Sequence, residues 1–284
     1  MKLSVIIINY NSKDLLKQCL LSVQKAISGI EGEIIVIDNN STDDSQEFLR
    51  GVDSKISVKL QEENSGFARA CNLGFKNASG DYVLFLNPDT IVSEKSLQQC
   101  ISFLESKYDA GAAGVRMIDG KGKFLKESKR SFPSPTAAFF KLFGFAKLFP
   151  RSKSFAKYYA GHLSEKEINT VDVLSGAFMM VKKNVLEKIG GFDETFFMYG
   201  EDIDLSFRIV EAGYGNYYLG NITITHLKGG STRYNYKYVK TFYDAMNRFV
   251  KKHYEGKRSA AFILLLYSGI WLRKMIALAG LAFR

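Results

Sequence analysis

LSVIIIN, residues 3–9, decides the fold class of this 284-residue chain. The run is β-branched and almost continuously apolar, the pattern of a strand buried on both faces of a parallel sheet. Outward from it, similar strand runs occur at EIIVID (Glu33–Asp38), ISVKL (Ile56–Leu60) and YVLFL (Tyr82–Leu86). Between these runs the period becomes helical. Leu15, Leu16, Cys19, Leu20 and Val23 form an apolar stripe that Asn11 or Ser12 can cap and that Gly29 or Gly32 ends. Ser41, with Asp44 three residues on, resembles a capping box for a short helix to Leu49, and Asn64–Lys76 reads as mostly helical. Strands alternating with helices at this spacing predict an α/β fold, a doubly wound and mostly parallel sheet flanked by helices, over roughly the first 90 residues. Such a sheet binds its ligand at the carboxyl ends of its strands. There this chain carries Asn9 and Tyr10, Asp38 and Asn39, and Asn87 with Asp89. No G-x-G-x-x-G follows the first strand, which disfavours a dinucleotide.

Further along, Ala112–Met117 reads as a strand, Asp119–Lys123 as a hairpin turn, and Lys182–Ile189 as a short helix. Lys126–Pro135 is basic and proline-punctuated, Phe139–Phe149 aromatic and basic, and Asp172–Val181 apolar. In GFDETFFMYGEDIDLSFR (Gly191–Arg208), Ile203, Phe207 and Val210 recur at i, i+4 and i+7, the period of a packed helix running to a C′ glycine at Gly213. Its first turn carries Glu201, Asp202 and Asp204, where the macrodipole stabilises carboxylates. Asp204 and Arg208, one turn apart, read as a scaffolding ion pair, whereas Asp202 sits where it can face a cleft. Tyr217–His226 alternates as a strand, Tyr234–Tyr254 is a tyrosine-rich basic helix, and Ala260–Arg284 is strongly hydrophobic.

A composition of 46% hydrophobic and 24% charged residues excludes wholesale disorder. The net charge of +10 and pI near 9.3 call for an anionic partner. The chain carries no nucleic-acid motif, so the expectation is a membrane surface and phosphate, and no nucleic acid. Cys19, Cys71 and Cys100 are odd in number and widely spaced, which points to a reducing cytoplasm. The apolar N-terminus is short and reads as a strand, not a signal peptide. At the other end, Ala260–Leu272 would make only about 20 Å of helix before Arg273–Lys274 interrupts it, short of a ~30 Å hydrocarbon core. That predicts a basic amphipathic helix lying on a membrane, helped by Lys251, Lys252, Lys257 and Arg258. Packing on the protein itself or on a homodimer partner is the alternative.

Seven stretches carry a resemblance: Ser4–Asn11, Ile34–Ser45, Asn64–Phe75, Tyr82–Thr90, Leu174–Lys183, Gly190–Arg208 and His226–Ser231. In this order they resemble the family 2 glycosyltransferases of the GT-A fold, particularly the rhamnosyltransferase-like group. The resemblance implies transfer of a sugar, with inversion, from a nucleoside-diphosphate donor to a hydroxyl of a glycan or polyprenyl-diphosphate-linked acceptor. It makes Asp202 the general base, with Glu201 orienting acceptor or base. Asp89 takes the position of the family's acidic metal ligand for Mg2+ or Mn2+, although Asn87-Pro88-Asp89 has an amide where the first acid stands. His226 falls to the metal or the diphosphate, with Lys228 and Arg233 adding positive charge to its loop. Asp38 is expected on the base or ribose, Asn9 and Tyr10 in the nucleoside pocket, and Arg69 on the diphosphate. Asn64, Gly66, which permits close backbone approach, and Asn87 complete the nucleotide-sugar set. Residues 126–160 are expected to form part of an acceptor cleft.

By the same resemblance, residues 1–232 form the catalytic domain, 1–90 its nucleotide half and 91–232 its acceptor half. Residues 233–284 form a helical extension at the inner face of the cell membrane. The donor it suggests is dTDP-L-rhamnose, with a UDP-sugar (galactofuranose, N-acetylglucosamine, galactose or glucose) as the alternative. A catalytically silent binding module of the same fold is the alternative of another class.

Overall fold

A computed structural model describes residues 2–133, 157–227 and 235–282. The expectations for Phe139–Phe149, for most of the proposed acceptor stretch, and for Lys228, Gly229, Gly230, Ser231 and Arg233 lie outside these residues. The first half alternates as anticipated: β1 (Leu3–Asn9), α1 (Lys13–Ala26), β2 (Gly32–Asp38), α2 (Ser45–Arg50), β3 (Ile56–Leu60), α3 (Phe67–Lys76) and β4 (Tyr82–Leu86). A short β5 (Thr90–Ile91) and α4 (Ser96–Ser106) precede β6 (Ala110–Ile118). Helix α4 goes beyond the expected elements, and its buried Leu97, Cys100, Ile101 and Leu104 follow the ordinary helical period. Then come β7 (Lys129–Arg130), β8 (Ile168–Val171), β9 (Val173–Leu174), β10 (Phe178–Lys182), α5 (Lys183–Ile189), α6 (Glu201–Glu211), β11 (Gly215–His226), α7 (Tyr236–His253) and α8 (Ala260–Ala282).

Among the described residues nine strands form one sheet in the order β3-β2-β1-β4-β10-β6-β11-β5, with β8 also pairing β11. The first four are mutually parallel, and β10 runs antiparallel to both neighbours, so the sheet is mixed and mostly parallel. The two-residue period of β1 distributes its side chains. Leu3, Val5 and Ile7 join the core under α1 and α4, while Ile6 and Ile8 join the core under α3, α5 and α6. Each such side chain contributes about 1.5–3 kcal/mol by leaving water. A third cluster, with Phe196, Ile203, Phe249, Val250 and Leu266, lies between α6, α7 and α8.

Several local expectations change. Ser41 does not cap α2, because its N–H and its hydroxyl both go to Asp38. The Ser45 N–H instead reaches Asp43 Oδ1 at 3.0 Å. The apolar run Asp172–Val181 is broken at Ser175–Ala177 into β9 and β10. Helix α6 ends at Glu211, and Gly213 (φ +90°) takes the left-handed C′ position. Gly213 N–H donates to Val210 O and Tyr214 N–H to Ile209 O, a Schellman pair of bonds. Val210 is exposed, and the buried stripe of α6 runs through Ile203, Leu205 and Ile209.

The C-terminal helix is the largest revision. Arg273–Lys274 does not interrupt it, and α8 runs unbroken for 23 residues, about 34 Å at ~1.5 Å per residue. Lys274 is accommodated by Asp244 of α7 at 3.0 Å. Phe262, Ile263, Leu266, Tyr267 and Ile270 pack into the third cluster, while Leu264, Leu265, Trp271, Leu272, Met275 and Ile276 are exposed. The helix is apolar on its covered and uncovered sides alike, and so does not have the basic amphipathic face expected of it. By length and composition it is long and apolar enough to cross a membrane.

Candidate active site

At the carboxyl end of β1, Asn9 Nδ2 donates to Asp38 Oδ2 (2.8 Å) and to Ser41 Oγ (3.1 Å). Ser41 Oγ donates to the same Asp38 oxygen at 2.6 Å, and Asp38 Oδ1 accepts from Ser41 N and Gln46 Nε2. Asn9 and Asp38 are both fully buried. Asp38 therefore receives four protein donors on its carboxylate. It fixes the turn beneath the cleft and orients Asn9.

The next layer up faces open space. Asn39 Nδ2 donates to Asn64 Oδ1 (3.0 Å) and Gly66 O (3.3 Å), and Asn39 Oδ1 accepts from Gln61 and Ser65. Gly66 holds φ +86°, and a Cβ there would stand 2.6 Å from Phe197 O, so the loop before α6 closes directly on this backbone. Phe67 N–H donates to that same carbonyl at 2.8 Å. Tyr10, Asn64, Gly66 and Asn87, four of the expected nucleotide-sugar residues, line a cleft of about 580 Å³. Its far wall comes from α7, with Asn235, Lys237, Tyr238 and Thr241. This volume lies within the range of small-molecule and cofactor sites. Helix α7 thus forms part of the cleft wall. Arg69 does not line the cleft; its Nε pairs with Glu194 Oε2 at 3.2 Å on the surface. Asn72 ties the same loop down through Phe192 and Glu194.

Beside Asn87 and Pro88 the chain turns into β5, whose Thr90 pairs with His226 at the end of β11. That pairing brings together residues 137 apart in sequence: His226 Nε2 lies 3.0 Å from Asp89 Oδ1, and both side chains are only 9% exposed. Asp89 Oδ1 and His226 Nδ1 are both buried without a hydrogen-bond partner among the described residues. A carboxylate oxygen and an imidazole nitrogen are donors that Mg2+ or Mn2+ accepts, so Asp89 and His226 could hold such an ion. Among the described residues no third His, Cys, Asp or Glu joins them.

Helix α6 begins after Gly200 (φ +80°) and presents Asp202 in its first turn. Asp202 Oδ2 accepts from Gly176 N at 3.1 Å and from Arg130 Nη2. The neighbouring Ala177 O accepts from Asn87 N at 3.0 Å, so residues 176–177 bridge the Asp202 carboxylate to the strand end that carries Asp89. Glu201 is buried, and burial followed by the Asp202 charge pushes its carboxyl up to about 8. It therefore holds its proton at neutral pH. Asp204, as expected, pairs with Arg208 at 2.8 Å, but it also takes Lys252 and His253 of α7, each at 2.7 Å. Burial works against its charge, yet His253, Arg208 and Lys252 together hold it down at about 2.

With the geometry in place, comparison with known proteins decides the family. The family model for glycosyl transferase family 2 matches residues 4–190. The chain belongs to that family. Among curated relatives, a low-salt glycan biosynthesis hexosyltransferase of Haloferax volcanii is 27% identical over 210 residues, which are 72% of this chain and 61% of the relative. An N-acetylglucosaminyl-diphospho-decaprenol L-rhamnosyltransferase of Mycobacterium tuberculosis is also 27% identical, covering 81% of this chain and 77% of that protein. The rhamnosyltransferase WbbL of Escherichia coli is 31% identical over about half of each chain (51% and 52%). Among solved structures, a Pyrobaculum calidifontis mannosyltransferase in complex with GDP-mannose and Mn2+ superposes with TM-score 0.61 at 18% identity over 99% of this chain and 75% of that one. Staphylococcus aureus TarS residues 1–349 with UDP-GlcNAc gives 0.60 at 19% identity over 95% and 72%. These structural likenesses confirm the glycosyltransferase sheet architecture.

Arg130 and the cleft-facing residues of α7 were not among the residues expected at the site. Arg130 lies in a basic, irregular stretch with no period to expose it. Asn39, expected at its strand end, lines the cleft.

Proposed function

We propose that this family 2 glycosyltransferase transfers a sugar from a nucleoside-diphosphate donor to an acceptor hydroxyl with inversion. The observation that carries the reading is the bridge of Gly176 and Ala177, which sets the Asp202 carboxylate beside the Asn87–Asp89 strand end. The nucleoside fits the cleft between Tyr10, Asn64, Gly66 and α7, and Lys237 supplies a cation on its wall. Asp89 and His226 would hold a divalent cation, whose chemistry is to neutralise the charge developing on the departing diphosphate. Asp202 takes the proton from the acceptor hydroxyl as that oxygen bonds to the anomeric carbon. The bond from that carbon to the diphosphate oxygen breaks at the same time, and its electron pair leaves with the diphosphate. One base opposite the leaving group is what an inverting displacement requires. Glu201, neutral and buried beside it, can donate a hydrogen bond and keeps a second negative charge away from Asp202.

dTDP-L-rhamnose is the donor this reading favours, supported by the two rhamnosyltransferase relatives, with UDP-sugars as the competing class. The acceptor is a lipid-linked glycan, which places the enzyme at the cytoplasmic face of a membrane. The exposed apolar side of α8, on a chain of net charge +10, suits an anionic bilayer surface.

The test is a panel of nucleotide sugars with Mg2+ or Mn2+, reading which is consumed and the anomeric configuration of the product. Asp202→Asn is expected to lose activity by about 10²–10⁴-fold while calorimetric binding of the nucleoside diphosphate is retained. Appreciable transfer by that variant removes Asp202 from the role, and a retained configuration overturns the single-displacement mechanism.

A further inference from the structure

The Asp202 carboxylate is not left to find its own orientation. Arg130 lies on the two-residue strand β7, paired to β9 with Lys129 opposite Leu174 and Arg130 opposite Val173. The strand is anchored on both sides. Lys129, itself buried, donates from Nζ to Ala160 O (2.6 Å) and Leu163 O (3.1 Å). Ser131 N donates to Tyr158 O at 2.9 Å and Phe132 N to Asp172 Oδ2 at 3.1 Å. From this fixed base the Arg130 guanidinium, only 13% exposed, donates through Nη2 both to Leu174 O (3.0 Å) and to Asp202 Oδ2. Gly176 N reaches the same Asp202 oxygen. Among the described residues no donor engages Oδ1.

We infer that Arg130 is a positioning residue for Asp202, holding Oδ2 so that Oδ1 is the oxygen that takes the acceptor's proton. The inference rests on the assignment of Asp202 as base. A carboxylate held by two donors on one oxygen has a single rotamer and a single free lone-pair face, and a misplacement of about 1 Å at such a centre costs on the order of 10²-fold in rate. Glu201 does not compete for the guanidinium as an anion, since its proton is retained up to about 8 by burial and by the Asp202 charge. Arginine suits this place because the two N–H bonds of Nη2 are fixed in the guanidinium plane, one for the Leu174 carbonyl and one for the carboxylate, whereas an ammonium holds its donors with less directional control.

The experiment compares the full chain with Arg130→Ala, Arg130→Lys, Asp202→Asn and the Arg130→Ala/Asp202→Asn pair, using whichever nucleotide sugar the wild type consumes. Arg130→Ala is expected to lose about 10²-fold in kcat with nucleoside-diphosphate binding retained by calorimetry. Added guanidinium ion is expected to restore part of that loss while leaving the wild type unaffected, a response that a role confined to folding would not give. In the Asp202→Asn background the Arg130 change is expected to cost nothing further. Should the alanine variant fail to fold, Arg130→Lys decides: lowered kcat with an unchanged melting temperature supports the inference, and full activity overturns it. Arg130→Ala activity within about threefold of wild type, or a loss that guanidinium leaves untouched and that adds to Asp202→Asn, also overturns it. An active Asp202→Asn enzyme sinks the assignment of the base itself, a result distinguishable from failure of Arg130 alone.

Discussion

Replacing Asp204 by Asn leaves the shape of α6 intact and removes one charge from beneath three partners. Asp204 is wholly buried and accepts from Arg208 Nε at 2.8 Å, from Lys252 Nζ at 2.7 Å and faces His253 Nε2 at 2.7 Å. Burial raises its carboxyl, but His253, Arg208 and Lys252 overcome this and hold it at about 2, below the ordinary 3.8. At ~1.4 kcal/mol per pH unit the difference is about 2.5 kcal/mol of folding stability at neutral pH. Because the folded value is depressed, the stabilisation is complete above pH ~4 and is lost as pH falls through ~2. Roughly half of it, about 1.3 kcal/mol, remains at pH ~3. The asparagine also strands Arg208 and Lys252 without their anion, which adds to the cost. A change of this size lowers the melting temperature of a domain this large by about 5–10 °C. Thermal unfolding of the full chain and of Asp204→Asn, at pH 7 and again near pH 3, makes the check. The expected gap is wide at pH 7 and about half as wide at pH 3. A gap under about 1 °C at pH 7, or one that does not narrow on acidification, refutes the reasoning. Since Lys252 and His253 belong to the helix that walls the cleft, the same variant is also expected to bind nucleoside diphosphate more weakly.

Two further outcomes follow from cleft and surface. Lys237→Ala, which removes a cation from the cleft wall, is expected to weaken nucleoside-diphosphate binding by about 10-fold. The deficit should shrink as salt rises, and calorimetry at two ionic strengths reads it; unchanged affinity at low salt places the diphosphate elsewhere. Leu265→Glu with Trp271→Glu, at positions 62% and 63% exposed, should leave the melting temperature unchanged while releasing the protein from anionic phospholipid vesicles in co-sedimentation. Vesicle binding unaffected by the pair removes α8 from the membrane contact.

What could be read directly from the sequence follows the range of the forces involved. β1, β2 and β4 were legible because their burial on both faces leaves a continuous apolar run, and α6 was legible from its acidic first turn and its C′ glycine. The surroundings of Asp38 were not legible. A carboxylate after a buried strand has the same sequence signature whatever donors surround it, and only the fold brings Asn9, Ser41 and Gln46 onto it. The unbroken α8 was hidden because Arg273–Lys274 looked like an intolerable mid-span charge, and the acid that accommodates Lys274 stands 30 residues away on α7.

Arg130 shows the limit most sharply. Its partner Asp202 is 72 residues distant, and no periodicity connects them. The carboxylates of α6 divide between two neighbourhoods that the linear order conceals. Asp202 is held by β7 and the β9–β10 turn, whereas Asp204, two residues on, is held by α7. The first turn of α6 is therefore clamped from both sides. The turn that carries the proposed base is held by the Arg130 strand on one side and on the other by α7, which also walls the cleft. A displacement of α7 acts on the same short turn that carries Asp202.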